Sequence, residues 1–216
     1  MYSIFIVFIL SVLLLVYIYN NNNNRYIRRQ SPIHIQGKVK SFQNTILETE
    51  LFSKKIQATL LYKKNTIYYK VKNTIITMFN NTPYVLSDFH FHKPSEHVIH
   101  NKRYDMEVHF VHKKLYSKGE SYNEQFVVFS FFIQKGNTNV LDTCIELQEN
   151  VEIQIPEHNT FYYYPGSLTT PPYSSNVSWI VFDTPISSST IPILDTNYNT
   201  ARPVQKSIQG ELMYFQ

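Results

Sequence analysis

Two short stretches of this chain alternate so strictly that each is expected to form a β-strand with histidines on one face. Residues 89–92 read Phe-His-Phe-His, and residues 106–111 read Met-Glu-Val-His-Phe-Val. Residues two apart in a β-strand project from the same face. His90 and His92 therefore point the same way, and His109 lies on the polar face of the second strand.

The segment between the two strands indicates that they pair with each other. It contains Asn101-Lys102 flanked by polar residues, which is typical of a turn, so an antiparallel pair is expected. That pairing would bring three imidazoles together. Neutral imidazoles suit a borderline-soft divalent cation, and three ligands leave a fourth tetrahedral position open for water, as in catalytic zinc sites. We therefore predict Zn2+ as a cofactor.

A His-x-His pair alone is usually a pair of ordinary strand residues. The prediction of a metal site gains its strength from Glu-Val-His at 107–109, which adds a third nitrogen and a carboxylate on the same strand face. Metal-bound histidines commonly donate their second N–H to such an acceptor. Glu107 is accordingly predicted to orient His109.

Five segments, in order along the chain, carry a family resemblance. They are Arg-Gln-Ser-Pro-Ile at 29–33, Phe-His-Phe-His-Lys-Pro-Ser-Glu-His at 89–97, Met-Glu-Val-His-Phe-Val-His at 106–112, Ser-Leu-Thr-Thr-Pro-Pro at 167–172 with the following Trp179, and Asn-Thr-Ala-Arg-Pro-Val-Gln at 199–205. Together they resemble the α-class carbonic anhydrases over about residues 29–206. Pro-Ser-Glu-His at 94–97 is closer to the compact bacterial forms than to the vertebrate ones.

The resemblance implies a role for each matching residue. The implied zinc ligands are His90, His92 and His109, with Glu107 as the partner of His109. Thr169 and Glu96 would form a gate, in which zinc-bound hydroxide donates to the threonine hydroxyl and that hydroxyl donates to the buried glutamate. A hydroxide fixed in this way keeps a lone pair aimed at the substrate carbon. The implied reaction is the reversible hydration of carbon dioxide to bicarbonate and a proton.

An apolar wall that holds the uncharged substrate is implied by the same resemblance. Such a wall accommodates carbon dioxide readily and disfavours anions. Its residues would be Val111, Val128, Leu168, Val177 and Trp179.

One position close to the ligands departs from the family pattern. Where the family usually has a glutamine that orients the first histidine, this chain has Asp88. An aspartate still accepts a hydrogen bond from an imidazole N–H, but its shorter reach and its charge alter the surroundings of the ligand. We expect a working site in which the ligand geometry and the basicity of the bound water are altered.

Composition and resemblance agree on a mainly β fold. Tyrosine (17) and phenylalanine (15) are abundant, glycine is scarce, and runs such as 126–133 are rich in β-branched and aromatic residues, as in strands. The resemblance implies one domain with a large, mostly antiparallel twisted sheet, short peripheral helices and zinc in a central conical cleft. The expected organisation is an apolar segment at 1–19, an Asn-rich tether at 20–28 and the carbonic anhydrase-like domain at 29–216.

The N-terminal 19 residues contain no charged side chain. They are at the short end of the roughly 17–25 residues that a membrane-spanning helix needs. A cleaved signal peptide is the alternative, with a secreted product, but a basic n-region and a small-x-small cleavage site are missing. We predict a single-pass membrane anchor. Arg25, Arg28 and Arg29 favour a cytosolic domain by the positive-inside rule, whereas the habit of the family favours an exported one.

The formal charge of +4 is modest, and the 20 lysines and arginines are scattered; we predict no nucleic-acid partner.

Lysine pairs at 54–55, 63–64 and 113–114 leave a second hypothesis open. Some viral relatives of the family have lost zinc ligands and bind sulfated polysaccharides through basic patches. The chain would then be a membrane-anchored surface protein with little or no catalysis. The intact ligand set favours the enzyme.

Proton export is predicted to limit the rate. The fastest family members pass the proton to a histidine in the segment that aligns with 64–71, and the alignment places Ile67 at that position. Isoleucine cannot carry a proton, so kcat is expected to rise with the concentration of an imidazole-type buffer. Stopped-flow hydration at several buffer concentrations measures this. A turnover independent of buffer would contradict it and direct attention to His34 and His100 as substitutes.

Overall fold

The computed structural model describes residues 9–19, 29–36, 40–42, 46–63, 66–191, 199–206 and 212–216. The strands are β1 (His34–Ile35), β2 (Lys40–Phe42), β3 (Leu47–Thr49), β4 (Ile56–Lys63), β5 (Thr66–Val71), β6 (Ile76–Phe79), β7 (Thr82–His92), β8 (Val98–Ile99), β9 (Met106–Lys114), β10 (Phe126–Lys135), β11 (Asn150–Ile153), β12 (Phe161–Ser167), β13 (Ser175–Ser188) and β14 (Met213–Phe215).

Twelve of these strands form one sheet. Its order is β11-β4-β5-β7-β9-β10-β13-β12-β14-β2, while β6 pairs with the first half of β7 and β3 pairs with β6. Neighbours are antiparallel except in the pairs β10–β13 and β14–β2. Strands β1 and β8 form a separate parallel pair. The prediction of a mainly β fold with a large, mostly antiparallel sheet is confirmed.

The strands at the centre of the sheet, β9 and β10, are buried on both faces. This explains the nearly continuous apolar sequence of β10, whereas β9 carries the buried Glu107 and His109 among its apolar residues. On one face, Val108, Phe110 and Phe129 pack into the larger of two hydrophobic clusters. On the opposite face, Val111 and Val128 belong to the smaller cluster. Polar side chains on that second face therefore lie inside the protein rather than on its surface.

A β-bulge in β7 changes which face its side chains occupy. The register between β7 and β9 shifts between Leu86 and Asp88, so that Ser87 is the extra residue. Leu86 packs in the larger cluster. Without the bulge, Leu86 and His90 would project from the same face, because they are four residues apart. The bulge lets the first half of β7 serve the core while its second half presents histidines on the other face.

The side chain of Ile67 on β5 lies in the core. Ile67, placed by the alignment at the position of the proton-carrying histidine, is only 6% exposed and packs in the larger hydrophobic cluster. Its neighbour Tyr68 pairs with His90 of β7 and so lies on the histidine face. Neither Ile67 nor Tyr68 is a histidine, so the expected dependence of kcat on buffer concentration stays a prediction.

The helical part of the described chain is small. Helix α1 (Asp142–Ile145) is a single turn, and residues 9–19 are helical with exposed side chains. Among the described residues, no helix combines the length and the apolar character needed to cross a membrane. The predicted anchor at 1–19 therefore gains no support. Residues 1–8 and the tether at 20–28 lie outside the described part of the chain.

Gly166 provides a test of the packing between the sheet and the N-terminal segment. A Cβ atom at this position would lie 2.2 Å from the Ser31 hydroxyl oxygen and 2.9 Å from ring atoms of Tyr164 and Trp179. Gly166→Ala is therefore expected to lower the free energy of unfolding by about 3 kcal/mol, as overpacking of a buried site does. Denaturant unfolding measures this change.

The matched control for that variant is Gly136→Ala. There the nearest atom is the flexible Ser187 hydroxyl oxygen at 3.0 Å, so a smaller loss is expected. Equal losses for the two variants would contradict the packing argument.

Candidate metal centre

Strand pairing brings the three predicted histidines together. His90 on β7 lies directly opposite His109 on β9, as the sequence predicted. His92, two residues along β7, shares the face of His90. One nitrogen from each ring lies within 4.8 Å of a nitrogen of the others, and the ring centroids are 4.7–5.4 Å apart. This is the spacing expected of three ligands around one ion.

The free nitrogens show that the group fits a metal. Nδ1 of His92 lies 3.3 Å from the Thr200 carbonyl oxygen, and its Nε2 is buried without a hydrogen-bond partner among the described residues. Nε2 of His109 lies 2.7 Å from Oε1 of Glu107, which leaves Nδ1 available. Orphaned imidazole nitrogens in a buried site are rare unless they bind an ion or water. Three nitrogen donors match a catalytic zinc site.

Burial keeps these imidazoles in the form that binds metal. Removal from water, followed by the neighbouring histidines His109 and His90, holds the pKa of His92 well below its usual range. Burial also lowers the pKa of His109 to about 4, although Glu107 opposes this shift. Both rings are therefore neutral at physiological pH. A neutral ring offers a nitrogen lone pair without first losing a proton.

Glu107 is fully buried and accepts four hydrogen bonds. Oε1 lies 2.6 Å from the Ser130 hydroxyl, 2.7 Å from Nε2 of His109 and 2.6 Å from Nδ1 of His97; Oε2 accepts from the His97 backbone N–H at 2.8 Å. Burial would raise the pKa of Glu107, but the His97 and His109 side chains outweigh burial and hold it well below its usual range. The carboxylate is ionised and fixes the orientation of His109.

His97, Glu107 and His109 form a second group of atoms with metal-like spacing. In that group the facing atoms are already engaged with one another by hydrogen bonds. It is therefore a hydrogen-bonded network behind the three-histidine group. On its far side, Nε2 of His97 lies 2.6 Å from the Tyr164 hydroxyl, which donates to Ser31.

Glu96 lies beside the three-histidine group, with Oε1 3.4 Å from Nδ1 of His92, and is completely buried. Its Oε1 accepts from the backbone N–H of Arg202 at 2.8 Å. Burial, and next the Glu107 carboxylate, raise the pKa of Glu96 to about 8, while Arg202 and the Thr169 hydroxyl act in the opposite direction. Its Oε2 makes no hydrogen bond of ordinary geometry with the described residues. A cation held by the histidines would favour the ionised carboxylate.

Asp88 is buried next to His90, but it reaches that ring less closely than Glu107 reaches His109. Its Oδ1 lies 3.7 Å from Nδ1 of His90, and its Oδ2 accepts from the Ser87 hydroxyl at 2.5 Å. The structure thus places Asp88 behind His90, at the position where the sequence analysis expected it.

The five residues expected to form an apolar wall lie in one place. Four of them are buried members of the smaller hydrophobic cluster, and Leu168 packs against it. The indole ring of Trp179 is 4.8 Å from the ring of His109, centroid to centroid. The wall therefore adjoins the histidines on one side.

Sequence reasoning missed several residues that support the site. Ser130 pairs with His109 across β9 and β10, and its signal was a single polar residue within the apolar run Phe-Val-Val-Phe-Ser-Phe-Phe-Ile. Arg202 donates from its guanidinium to the Ser31 carbonyl at 2.6 Å and to Gln30 Oε1 at 3.0 Å. These contacts join segments about 170 residues apart, so no local pattern could have indicated them.

The two histidines named as possible proton carriers are engaged at the edge of the fold. Nε2 of His34 accepts from the backbone N–H of Asn101 at 3.3 Å, and Nε2 of His100 lies 3.1 Å from the Tyr162 hydroxyl. Neither is a member of the three-histidine group.

The sheet and its buried three-histidine group define a class: a mainly β protein built around a metal centre. A sequence profile described as "Eukaryotic-type carbonic anhydrase" matches residues 20–207. A carbonic anhydrase of Nostoc sp. is 32% identical over 200 residues, covering 82% of this chain and 72% of that protein. One from Klebsiella pneumoniae is 31% identical over 193 residues, covering 82% and 76%.

A solved structure agrees with these sequence matches. The α-carbonic anhydrase of Thermovibrio ammonificans, in complex with the inhibitor sulfanilamide, is 26% identical with a TM-score of 0.70, covering 88% of this chain and 87% of that one. The chain belongs to the eukaryotic-type carbonic anhydrase family, which is zinc-dependent.

Replacing the buried carboxylate tests the role of the network. In Glu107→Gln, an amide takes the place of an acceptor that serves four donors, so His109 loses its fixed orientation. Zinc affinity is expected to fall by roughly 10–100-fold, measured by competition with a chelator. The control is Glu124→Gln, which changes an exposed partner of Lys113. A zinc affinity unchanged by Glu107→Gln would show that the network does not act on the metal ligands.

Proposed function

We propose that this chain catalyses the reversible hydration of carbon dioxide to bicarbonate and a proton, with zinc held by His90, His92 and His109. The observation that carries the proposal is the convergence of three imidazoles, of which His92 and His109 are buried and neutral, with an acceptor behind one nitrogen and a free second nitrogen. Membership of the carbonic anhydrase family supports it.

When bound, zinc would lower the pKa of a water molecule to about 7, for which carbonic anhydrases are the standard example, and so would supply a nucleophile at neutral pH. The protein's contribution is orientation. Glu107 and the Thr200 carbonyl hold two of the rings in place. Because these acceptors also fix the ring tautomers, each ligand presents the correct nitrogen.

Thr169 and Glu96 are proposed to orient the attacking oxygen. Both are buried, and the Thr169 hydroxyl lies close enough to the Glu96 carboxyl to lower its pKa. With Glu96 ionised, the threonine must donate to it, and the threonine oxygen can then only accept on its other side. Such a pair would align a hydroxide with the substrate carbon.

The apolar wall is proposed to hold the substrate. Val111, Val128, Val177 and Trp179 are at most 7% exposed, and Leu168 packs against them. An apolar surface next to His109 accepts carbon dioxide at little cost, whereas bicarbonate would lose hydration there. The wall therefore favours entry of the neutral substrate and release of the charged product.

In the described part of the chain, which leaves out the side chains of the lysine pair at 63–64, surface charge gives the polysaccharide-binding alternative no support. The lysines at 54–55 and 113–114 are ion-paired, Lys54 with Glu50, Lys55 with Glu152, Lys113 with Glu124 and Lys114 with Glu120. Paired lysines contribute little net positive potential. We retain membrane anchoring through residues 1–19, with the side of the membrane open, as a separate proposal that the full chain's behaviour in membrane fractions would test.

Stopped-flow hydration of carbon dioxide by the full chain, with zinc content determined on the same sample, tests the proposed function. Stoichiometric zinc and activity are expected in the wild type. In His92→Ala, both are expected to fall by at least 10-fold, because a ligand is lost.

The matched control is His158→Ala, whose ring packs against Phe52 and Phe131 on the opposite face of the sheet and which should keep its zinc. A folded wild-type protein that binds no zinc and shows no hydration would overturn the proposal.

A further inference from the structure

Of the three histidines, His90 has the most distant acceptor for its second ring nitrogen, Nδ1. Nδ1 is buried and makes no hydrogen bond of normal length with any described residue. The nearest acceptor is Oδ1 of Asp88 at 3.7 Å. Metal-bound histidines normally have such an acceptor in contact. The side chains that hold Asp88 therefore decide whether its carboxylate faces His90.

Ser87 holds one side of the carboxylate. It is the extra residue of the bulge in β7, and its hydroxyl lies 2.5 Å from Oδ2 of Asp88 and 3.2 Å from the Val111 carbonyl oxygen. Bulges next to active sites commonly redirect a side chain. Here the bulge places Asp88 on the histidine face, and Ser87 anchors Oδ2 so that Oδ1 is left towards His90.

Tyr68 holds the other side. It pairs with His90 across β5 and β7, and its ring is stacked on the imidazole with an interplanar angle of 18° and centroids 6.2 Å apart. Asp88 is two residues from His90, a diagonal position that an aromatic side chain can reach. The Tyr68 hydroxyl hydrogen-bonds to the Asp88 carboxylate. Tyr68 thus contacts both the ligand and the group behind it.

In the contact between Tyr68 and Asp88 the phenolic hydroxyl is the donor and the carboxylate is the acceptor.

We propose that Tyr68 and Ser87 are positioning residues that fix the Asp88 carboxylate towards Nδ1 of His90, and that both act on the metal centre through Asp88. The inference rests on the proposed function only in taking His90 as a zinc ligand. Together, Tyr68 and Ser87 compensate for the short reach of the Asp88 side chain, at a position where the family usually has a glutamine. This arrangement places a second carboxylate, in addition to that of Glu107, behind the metal ligands. The negative charge of Asp88 favours a bound dication.

The test uses Tyr68→Phe, which keeps the stacked ring and removes only the hydroxyl, together with Asp88→Asn and the double variant in the full chain. Zinc affinity is measured by chelator competition, and ligand geometry by the visible absorption of the cobalt-substituted protein. We expect Asp88→Asn to weaken zinc binding roughly 10–100-fold. Tyr68→Phe is expected to weaken it by a smaller factor, roughly 3–10-fold, and both should shift the cobalt spectrum.

The double variant separates action through Asp88 from an independent effect. If Tyr68 acts through the carboxylate, Tyr68→Phe with Asp88→Asn should bind zinc no more weakly than Asp88→Asn alone. Losses that multiply in the double variant, or a Tyr68→Phe affinity within twofold of wild type, would overturn the inference.

Tyr69→Phe is the matched control, because it makes the same change on the same strand but on the opposite face. Its hydroxyl donates to the carbonyl oxygens of Cys144 and Gln148, so its loss should lower stability and leave zinc affinity unchanged. A wild-type chain that bound no zinc would overturn the proposed function. Wild-type zinc binding that Tyr68→Phe left unchanged would overturn only the positioning role.

Discussion

The buried carboxylate of Glu107 is the interaction on which the architecture of the site depends. Taking an ionised carboxylate out of water costs several kcal/mol unless donors replace the lost solvent. Four donors surround Glu107, from Ser130, His109 and both the ring and the backbone of His97. One of those donors is a predicted metal ligand. The same carboxylate that must be satisfied for folding therefore fixes the geometry needed for chemistry.

The need to satisfy Glu107 extends outward from the sheet centre. His97 can face Glu107 only if its other nitrogen also has a partner, which Tyr164 supplies, and Tyr164 in turn donates to Ser31. Ser31 is held by Arg202, whose backbone N–H also binds Glu96. Segments from both ends of the described domain thus meet at the site, and its geometry requires most of the fold to be in place.

The sequence predicted what depends on local periodicity. The period of two in β-strands was enough to place His90, His92 and His109 together, and the pairing of β7 with β9 confirmed it. Local pattern could not specify contacts made by tertiary register. Ser130 and Arg202 belong to this group, because each finds its partner on a distant strand or segment. The same limit applies to Ile67, whose burial in the larger hydrophobic cluster depends on tertiary packing.

The acceptors behind the three rings form a graded series. His109 lies 2.7 Å from a fully buried carboxylate, His92 lies 3.3 Å from a backbone carbonyl, and His90 lies 3.7 Å from Asp88. Exposure follows the same order: the His109 and His92 side chains are 1% and 3% exposed, against 17% for His90. The deepest ring is held by the strongest contacts, since an unsatisfied polar group there would cost most. Asp88, the most distant of the three acceptors, stands behind the outermost ring.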